Sequence, residues 1–253
     1  MDHADSSQEL LPDGAQWPWS GLEQLVFCVG LPKSGTHSLA DMLAGWRRSA
    51  HEPGWQELLP LLPKVRAGEL STDRLGPFFV KRHHRLGLEF ESSHLLGSFT
   101  PHLVEIFPRA QFVLLVRDCR SWIDSMINDQ VNLTPAQVPV WRVAYDAYFD
   151  RSNRDFPKQE RILKELDLYP LRNYVAYWHA EVKAITSCVP DERLLTLRTE
   201  ELSSTLPAIT NFFGLPADAL SARHSYKSWR KHDILDRIDP AHISSVIEAG
   251  HPG

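Results

Sequence analysis

The sequence predicts an α/β fold: a single domain on a P-loop-type parallel sheet of about five strands, with helices on both faces. Three observations predict it. Short uncharged runs of β-branched and aromatic residues, above all Val26–Val29 and Gln111–Val116, read as strands buried on both faces. Polar or small residues follow each run, and then apolar residues at the three-and-four spacing of a helix packed on a sheet. The chain has 253 residues, 43% hydrophobic and 23% charged, enough for one large core.

The remaining bounds are mild. A net charge of −5 gives no sign of a nucleic-acid or membrane-surface partner. Cys28, Cys119 and Cys188 are odd in number and widely spaced, which argues for reduced thiols and a cytoplasmic protein. No apolar run reaches the length of a membrane span, and the first residues lack a basic–apolar signal pattern. Residues 1–20, with Pro12, Gly14 and Pro18, read as a loose leader, and 21–253 as the domain.

Taken in order, Val26–Val29 is the first strand, stopped by Gly30, and Leu39, Met42, Leu43 and Trp46 mark the helix after the turn. A strand, a glycine-containing loop and a helix N-terminus together form a phosphate cradle, because loop N–H groups and the helix dipole both favour an anion. Gly30 and Gly35 keep the glycine spacing of nucleoside-triphosphate loops. Thr36 stands where that pattern has lysine, and His37 where it has the Mg²⁺-binding hydroxyl. The one loop lysine is Lys33. The cradle therefore lacks the usual metal arrangement.

Arg47–Trp55 should return to the sheet as a second short strand, bringing Glu52 to the carboxyl edge, where open α/β sheets bind ligands. Phe78–Lys81 reads as a third buried strand, which would set Lys81 and His83 at the same edge. Glu91 and His94 form a single carboxylate–His pair at helical spacing without a twin, so no metal site is expected. Thr100-Pro101 opens a helix that Pro108 ends, and Gln111–Val116, the strongest strand, runs into Arg117. The segment 128–157 is rich in aromatics and reads as helical core or as a lid over a second substrate. A long helical stripe from Leu171 to Ile185, a strand at Arg193–Leu197 and a helix from Thr205 to Gly214 complete the domain.

Pro32-Lys33-Ser34-Gly35-Thr36 resembles the 5′-phosphosulfate loop of sulfotransferases that use 3′-phosphoadenosine 5′-phosphosulfate (PAPS). The resemblance implies that Lys33 contacts the 5′-phosphate and the bridging oxygen, and that Ser34, Gly35 and Thr36 add phosphate contacts without a metal ion. Pro32, His37 and Ser38 complete the implied loop set. A second stretch is similar to the same family: Arg117 ends a strand, and Ser125 follows eight residues later in a helix, the pair that holds the 3′-phosphate. The unit around Arg198 and Thr199 resembles the one beside the adenine. The basic run Arg223–Lys231 resembles the loop that closes over the 3′-phosphate.

For the base that takes the acceptor proton the resemblance offers two candidates from different branches. Lys81 and His83 match a Lys-x-His pattern, in which the lysine steadies the transferring group. Glu52-Pro53 matches a glutamate branch, and Glu52 is the closer local fit. The function implied is sulfuryl transfer from PAPS to a hydroxyl or amine of a small molecule or glycan, leaving adenosine 3′,5′-bisphosphate, in a soluble protein of bacterial type. Two alternatives remain open from sequence: a metal-dependent nucleotide or small-molecule kinase, and a non-catalytic nucleotide-binding module.

Overall fold

A computed structural model describes residues 25–220 and 230–250. The expected leader (1–20) and most of the basic run lie outside the described residues. Among those described are five strands: β1 (Val26–Gly30), β2 (Ser49–His51), β3 (Phe90–Ser92), β4 (Gln111–Val116) and β5 (Leu194–Arg198). They form one parallel sheet in the order β2-β3-β1-β4-β5. The chain leaves β1 toward one edge and later crosses to the other, so β1 is the switch point of the topology.

The helices between β1 and β4 are α1 (Thr36–Leu43), α2 (Trp55–Leu58), α3 (Leu62–Arg66), α4 (Thr72–Leu86) and α5 (Thr100–Ile106). Beyond β4 come α6 (Cys119–Val131), α7 (Val138–Phe149), α8 (Arg161–Glu165), α9 (Leu171–Cys188), α10 (Leu206–Phe212) and α11 (Pro240–Ala249). Alternation along the central strands assigns them to two layers. Phe27, Val29, Phe112 and Leu114 face the larger core, with residues of α3 to α9 and α11. Val26, Cys28, Val113 and Leu115 face the smaller one, with Leu39 and Leu43 of α1 and Ile209 of α10. A pattern of period two buried on both sides is what a parallel sheet between helical layers requires.

Where the sequence suggested a strand at Phe78–Lys81, the structure has the middle of α4. The stripe Leu75, Phe79, Arg82, His83 is one helix face, all buried. Two of its members are polar, which hid the period. The third strand of the sheet is instead β3, whose central residue is Glu91, 1% exposed and paired with Arg82 of α4 at 2.7 Å. At the start of α5, Thr100 donates back to Leu96 O at 3.1 Å instead of capping the helix, because a 3₁₀ turn (His94–Phe99) runs directly into it.

Gly30 ends β1 where the backbone of β4 comes close. A Cβ there would stand 2.8 Å from Leu115 O, and φ is +147°. Glycine is the residue that meets both demands.

Candidate active site

Because all five strands are parallel, their carboxyl ends share one edge, and the candidate residues sort along it by strand order. At the centre is the loop after β1. Lys33 adopts φ +64° and Gly35 φ +97°, so the chain turns sharply before α1. Gly35 is the N-cap of α1 and lends no side chain to the first-turn N–H groups, which leaves them directed at the loop. The loop is tied down from all sides. Ser34 is buried and its hydroxyl donates to Leu31 O at 2.7 Å. Trp122 Nε1 donates to Pro32 O at 2.7 Å, and Thr199 Oγ1 to Ser34 O at 2.5 Å. The hydroxyl of Ser34 therefore closes the turn, while the backbone of the loop does the presenting.

On the β4–β5 side stands Arg117, one residue past β4. Its guanidinium donates to Lys33 O at 3.2 Å and to Ser121 Oγ at 3.1 Å, so a cation lies against the loop. Asp118 caps α6 by accepting from Ser121 N at 2.9 Å, which fixes where that helix starts. Ser125 is half-buried on α6. Three residues on, Asn128 Oδ1 accepts from His232 N at 2.7 Å, and Asn132 donates to Arg230 O at 2.9 Å. The end of the basic run is thus pinned to the helix that carries Ser125. Arg198 ends β5, exposed and 3.4 Å from Glu201, and Thr199 lies under the loop as described.

On the β3–β2 side is a cluster of imidazoles and a carboxylate. Glu52 follows β2 at φ +49° and its N–H donates to Ser92 O at 2.7 Å, which holds the turn to β3. Its Oε1 is 2.5 Å from His94 Nδ1 and 3.7 Å from His51 Nε2. Burial raises the Glu52 pKa, but the charge and hydrogen bond of His94, with His51 and Lys33 adding, outweigh it and hold the carboxyl at about 2. His51 is pushed down to about 4, first by burial and against the pull of Glu52. The other ring nitrogen of His94, Nε2, is buried without a hydrogen-bond partner. Around that ring stand Trp141 at 5.9 Å and Tyr148 at 6.2 Å, and Trp55 stacks on Trp141 at 5.1 Å. The indoles of Trp55 and Trp141 are half-exposed.

Of the loop residues that follow, Thr36 Oγ1 is 3.0 Å from His51 Nε2, linking the loop to β2. His37 pairs with Asp41 at 3.1 Å and meets the His51 ring edge-on at 4.9 Å. Ser38 is half-buried in the first turn of α1.

Lys81 and His83 are not brought to this edge. Lys81 is exposed on α4. His83 packs edge-on against Phe107 at 5.6 Å, and Phe107 lies four residues before β4 begins, at the amino end of the sheet. Burial pushes the His83 pKa down to about 4, with His84, Arg82 and Arg48 acting the same way. His94 takes the place at the carboxyl edge that the sequence offered to His83. The missing signal was β3 itself: a strand of three residues, Phe-Glu-Ser, is too short and too polar to announce that a site residue follows it.

Among the described residues no cluster of His, Cys, Asp and Glu is arranged to hold a metal ion, and no helix is long and apolar enough to cross a membrane.

Several known proteins resemble the chain. The family described as "Sulfotransferase domain" matches residues 93–216, a stretch that includes His94, Arg117, Ser125, Arg198 and Thr199. Solved structures similar to the chain include a sulfotransferase from Alicyclobacillus acidocaldarius, 14% identical over 88% of this chain and 94% of that one, with a TM-score of 0.46. Another is the sulfotransferase domain of the curacin biosynthetic pathway, 14% identical over 89% and 96%, with a TM-score of 0.40. A third is the sulfotransferase domain of the Synechococcus PCC 7002 olefin synthase, 17% identical over 89% and 86%, with a TM-score of 0.42. No curated protein matches the sequence. The strand-end arginine, the serine of the following helix and the unit around Thr199 all lie inside the matched stretch, so it is over residues 93–216 that the chain is similar to the sulfotransferase family.

Proposed function

We propose that the protein transfers a sulfuryl group from PAPS to a hydroxyl or amine of a small acceptor, without a metal ion, and that His94 takes the acceptor proton. One arrangement supports the reading: the loop after β1, with Lys33 in it, has Arg117 on one side and Glu52 and His94 on the other. The residues fit the donor. An uncapped helix start, a loop lysine and an arginine against the loop suit a phosphosulfate, and Thr36, where nucleoside-triphosphate loops have lysine, is engaged with His51.

The donor, when bound, supplies the activated sulfuryl group. Lys33 places a cation at the loop, where negative charge accumulates as the sulfuryl group leaves. Arg117 and Ser125 hold the 3′-phosphate, Thr199 supports the loop from below, and Arg198 lies at the adenine end. Glu52 remains ionised across the physiological range, so the His94 Nδ1 proton is fixed toward it and the Nε2 lone pair faces the acceptor. When Nε2 takes the proton, the same carboxylate stabilises the imidazolium. Glu52, the sequence's favoured base, thus serves as the orienting partner, because a carboxyl held at about 2 is a weak base near neutrality. The Trp55–Trp141 pair beside His94 provides the acceptor platform.

Thermal shift tests the donor. Adenosine 3′,5′-bisphosphate at about 100 Kd should stabilise the protein by about 2.7 kcal/mol. ADP with Mg²⁺ should do less, and the bisphosphate shift should survive a chelator. Stabilisation by ADP–Mg²⁺ alone would establish a kinase-type site instead.

A further inference from the structure

The loop lysine already has an anionic partner within the protein. Lys33 Nζ donates to Asp129 Oδ1 at 2.8 Å, the two side chains 23% and 24% exposed. Asp129 is held in turn. Its second oxygen accepts from the hydroxyl of Tyr145 at 3.1 Å, and Tyr145 is buried on α7. Asp129 comes from α6, four residues and so about one turn after Ser125, on the same helix face. Glu52 is near enough for the Lys33 charge to lower its pKa. At the phosphate loop, Lys33 therefore has two carboxylate neighbours, Asp129 and Glu52. A site built only to attract a polyanion would keep its loop cation clear of a fixed carboxylate, since each such neighbour opposes the incoming charge.

We propose that Asp129 is a positioning residue that exchanges Lys33 with the bound nucleotide: it holds the ammonium at rest and takes it back as the bisphosphate leaves. The inference rests on the reading of Lys33 as the phosphosulfate contact. An ammonium has three donors but a single charge, and a carboxylate on α6 and a phosphate in the loop compete for it. Nucleotide binding is then an exchange of one anionic partner for another, and its net affinity is lower than the contacts alone would give. The benefit falls on release, because the leaving product hands its cation to a partner already in place.

The test is calorimetry and stopped-flow release of adenosine 3′,5′-bisphosphate from the full chain and from Asp129→Asn. The amide oxygen of the variant still accepts from Tyr145, and Asp129→Ser is a second variant should the first fold poorly. The bisphosphate should bind about tenfold tighter and leave about tenfold more slowly. A merely structural role would weaken binding or leave it unchanged, and either result overturns the proposal. The change should shrink to less than about twofold in a Lys33→Met background. An equal gain in both backgrounds would mean general repulsion by the carboxylate, with no exchange. Wild-type protein that is folded yet does not bind the bisphosphate overturns the cofactor reading itself, whereas binding by wild type with no gain in Asp129→Asn overturns the exchange alone.

Discussion

In the proposed reaction His94 and Glu52 divide between them a task that one residue does poorly in this environment. A carboxylate buried beside an imidazole is easily kept ionised, but the interactions that keep it so also remove its basicity. The imidazole keeps one ring nitrogen, Nε2, without a hydrogen-bond partner. Changing His94 to Asn should lower turnover by about two to four decades while bisphosphate affinity stays near wild type. Glu52→Gln should fall by a comparable factor through loss of the fixed tautomer, and His83→Asn should keep its turnover. Steady-state assays at saturating PAPS distinguish the three, and full activity in His94→Asn would remove His94 from the reaction. The buried histidines also make stability depend on pH. His51 and His83 have their pKa lowered from 6.5 to about 4, chiefly by burial. The unfolded chain therefore binds the proton first, so their contribution is complete above about 6.5 and lost as the pH falls toward 4. Glu52 acts with the same sign at lower pH, from 4.5 down to about 2. Urea midpoints should fall steadily between pH 7 and 4, and His51→Gln should flatten that slope.

At the scale of elements, α4 explains most of what sequence did not disclose. Gly76-Pro77 before Phe78-Phe79-Val80 has the look of a turn leading into a strand, yet Pro77 is accommodated inside α4. The helix face that would have given it away includes Arg82, 2% exposed and bonded to Glu91 Oε2 at 2.8 Å and to Pro53 O at 2.5 Å. Charge in the core obscured both α4 and β3, each of which buries half of the same ion pair. The long strands β1 and β4 carry no charge and were legible without help, as was β2 from its place after α1. Arg82 thus supports the turn that carries Glu52 from behind. Arg82→Ala would leave Glu91 buried without its partner and should destabilise the protein by about 3–5 kcal/mol, read as a lower urea midpoint. Arg82→Lys should recover only part, because a single ammonium cannot reach both the carboxylate and the Pro53 carbonyl as the planar fork does.

For the molecule as a whole, the sheet order decides which residues can act together. Lys33 and Arg117 are far apart in sequence but flank one loop because β1 and β4 are neighbours in register. Lys33→Ala and Arg117→Ala should each weaken bisphosphate binding by one to two decades, since a charge-assisted contact is worth about 1.5–3 kcal/mol, with little change in thermal midpoint of the free protein. Calorimetry with unchanged affinity in both would remove the phosphate assignment. The β1–α1 loop was legible in sequence, because a loop between a strand and a helix is local, and the structure places Arg117 against it. Of the Glu52–His94 pair the sequence singled out only Glu52, since His94 lies 42 residues further on and is brought beside it by the pairing of β2 with β3.

The position of β1 at the switch point carries a kinetic consequence. With Glu52 and His94 reached over β3 and β2, and Arg117 and Thr199 over β4 and β5, the proposed function gives the two reactants separate berths on either side of one strand. On the proposed function, neither need vacate for the other to enter. Double-reciprocal plots for donor against acceptor should therefore intersect rather than run parallel, and excess acceptor should trap the spent nucleotide in a ternary complex that slows the cycle.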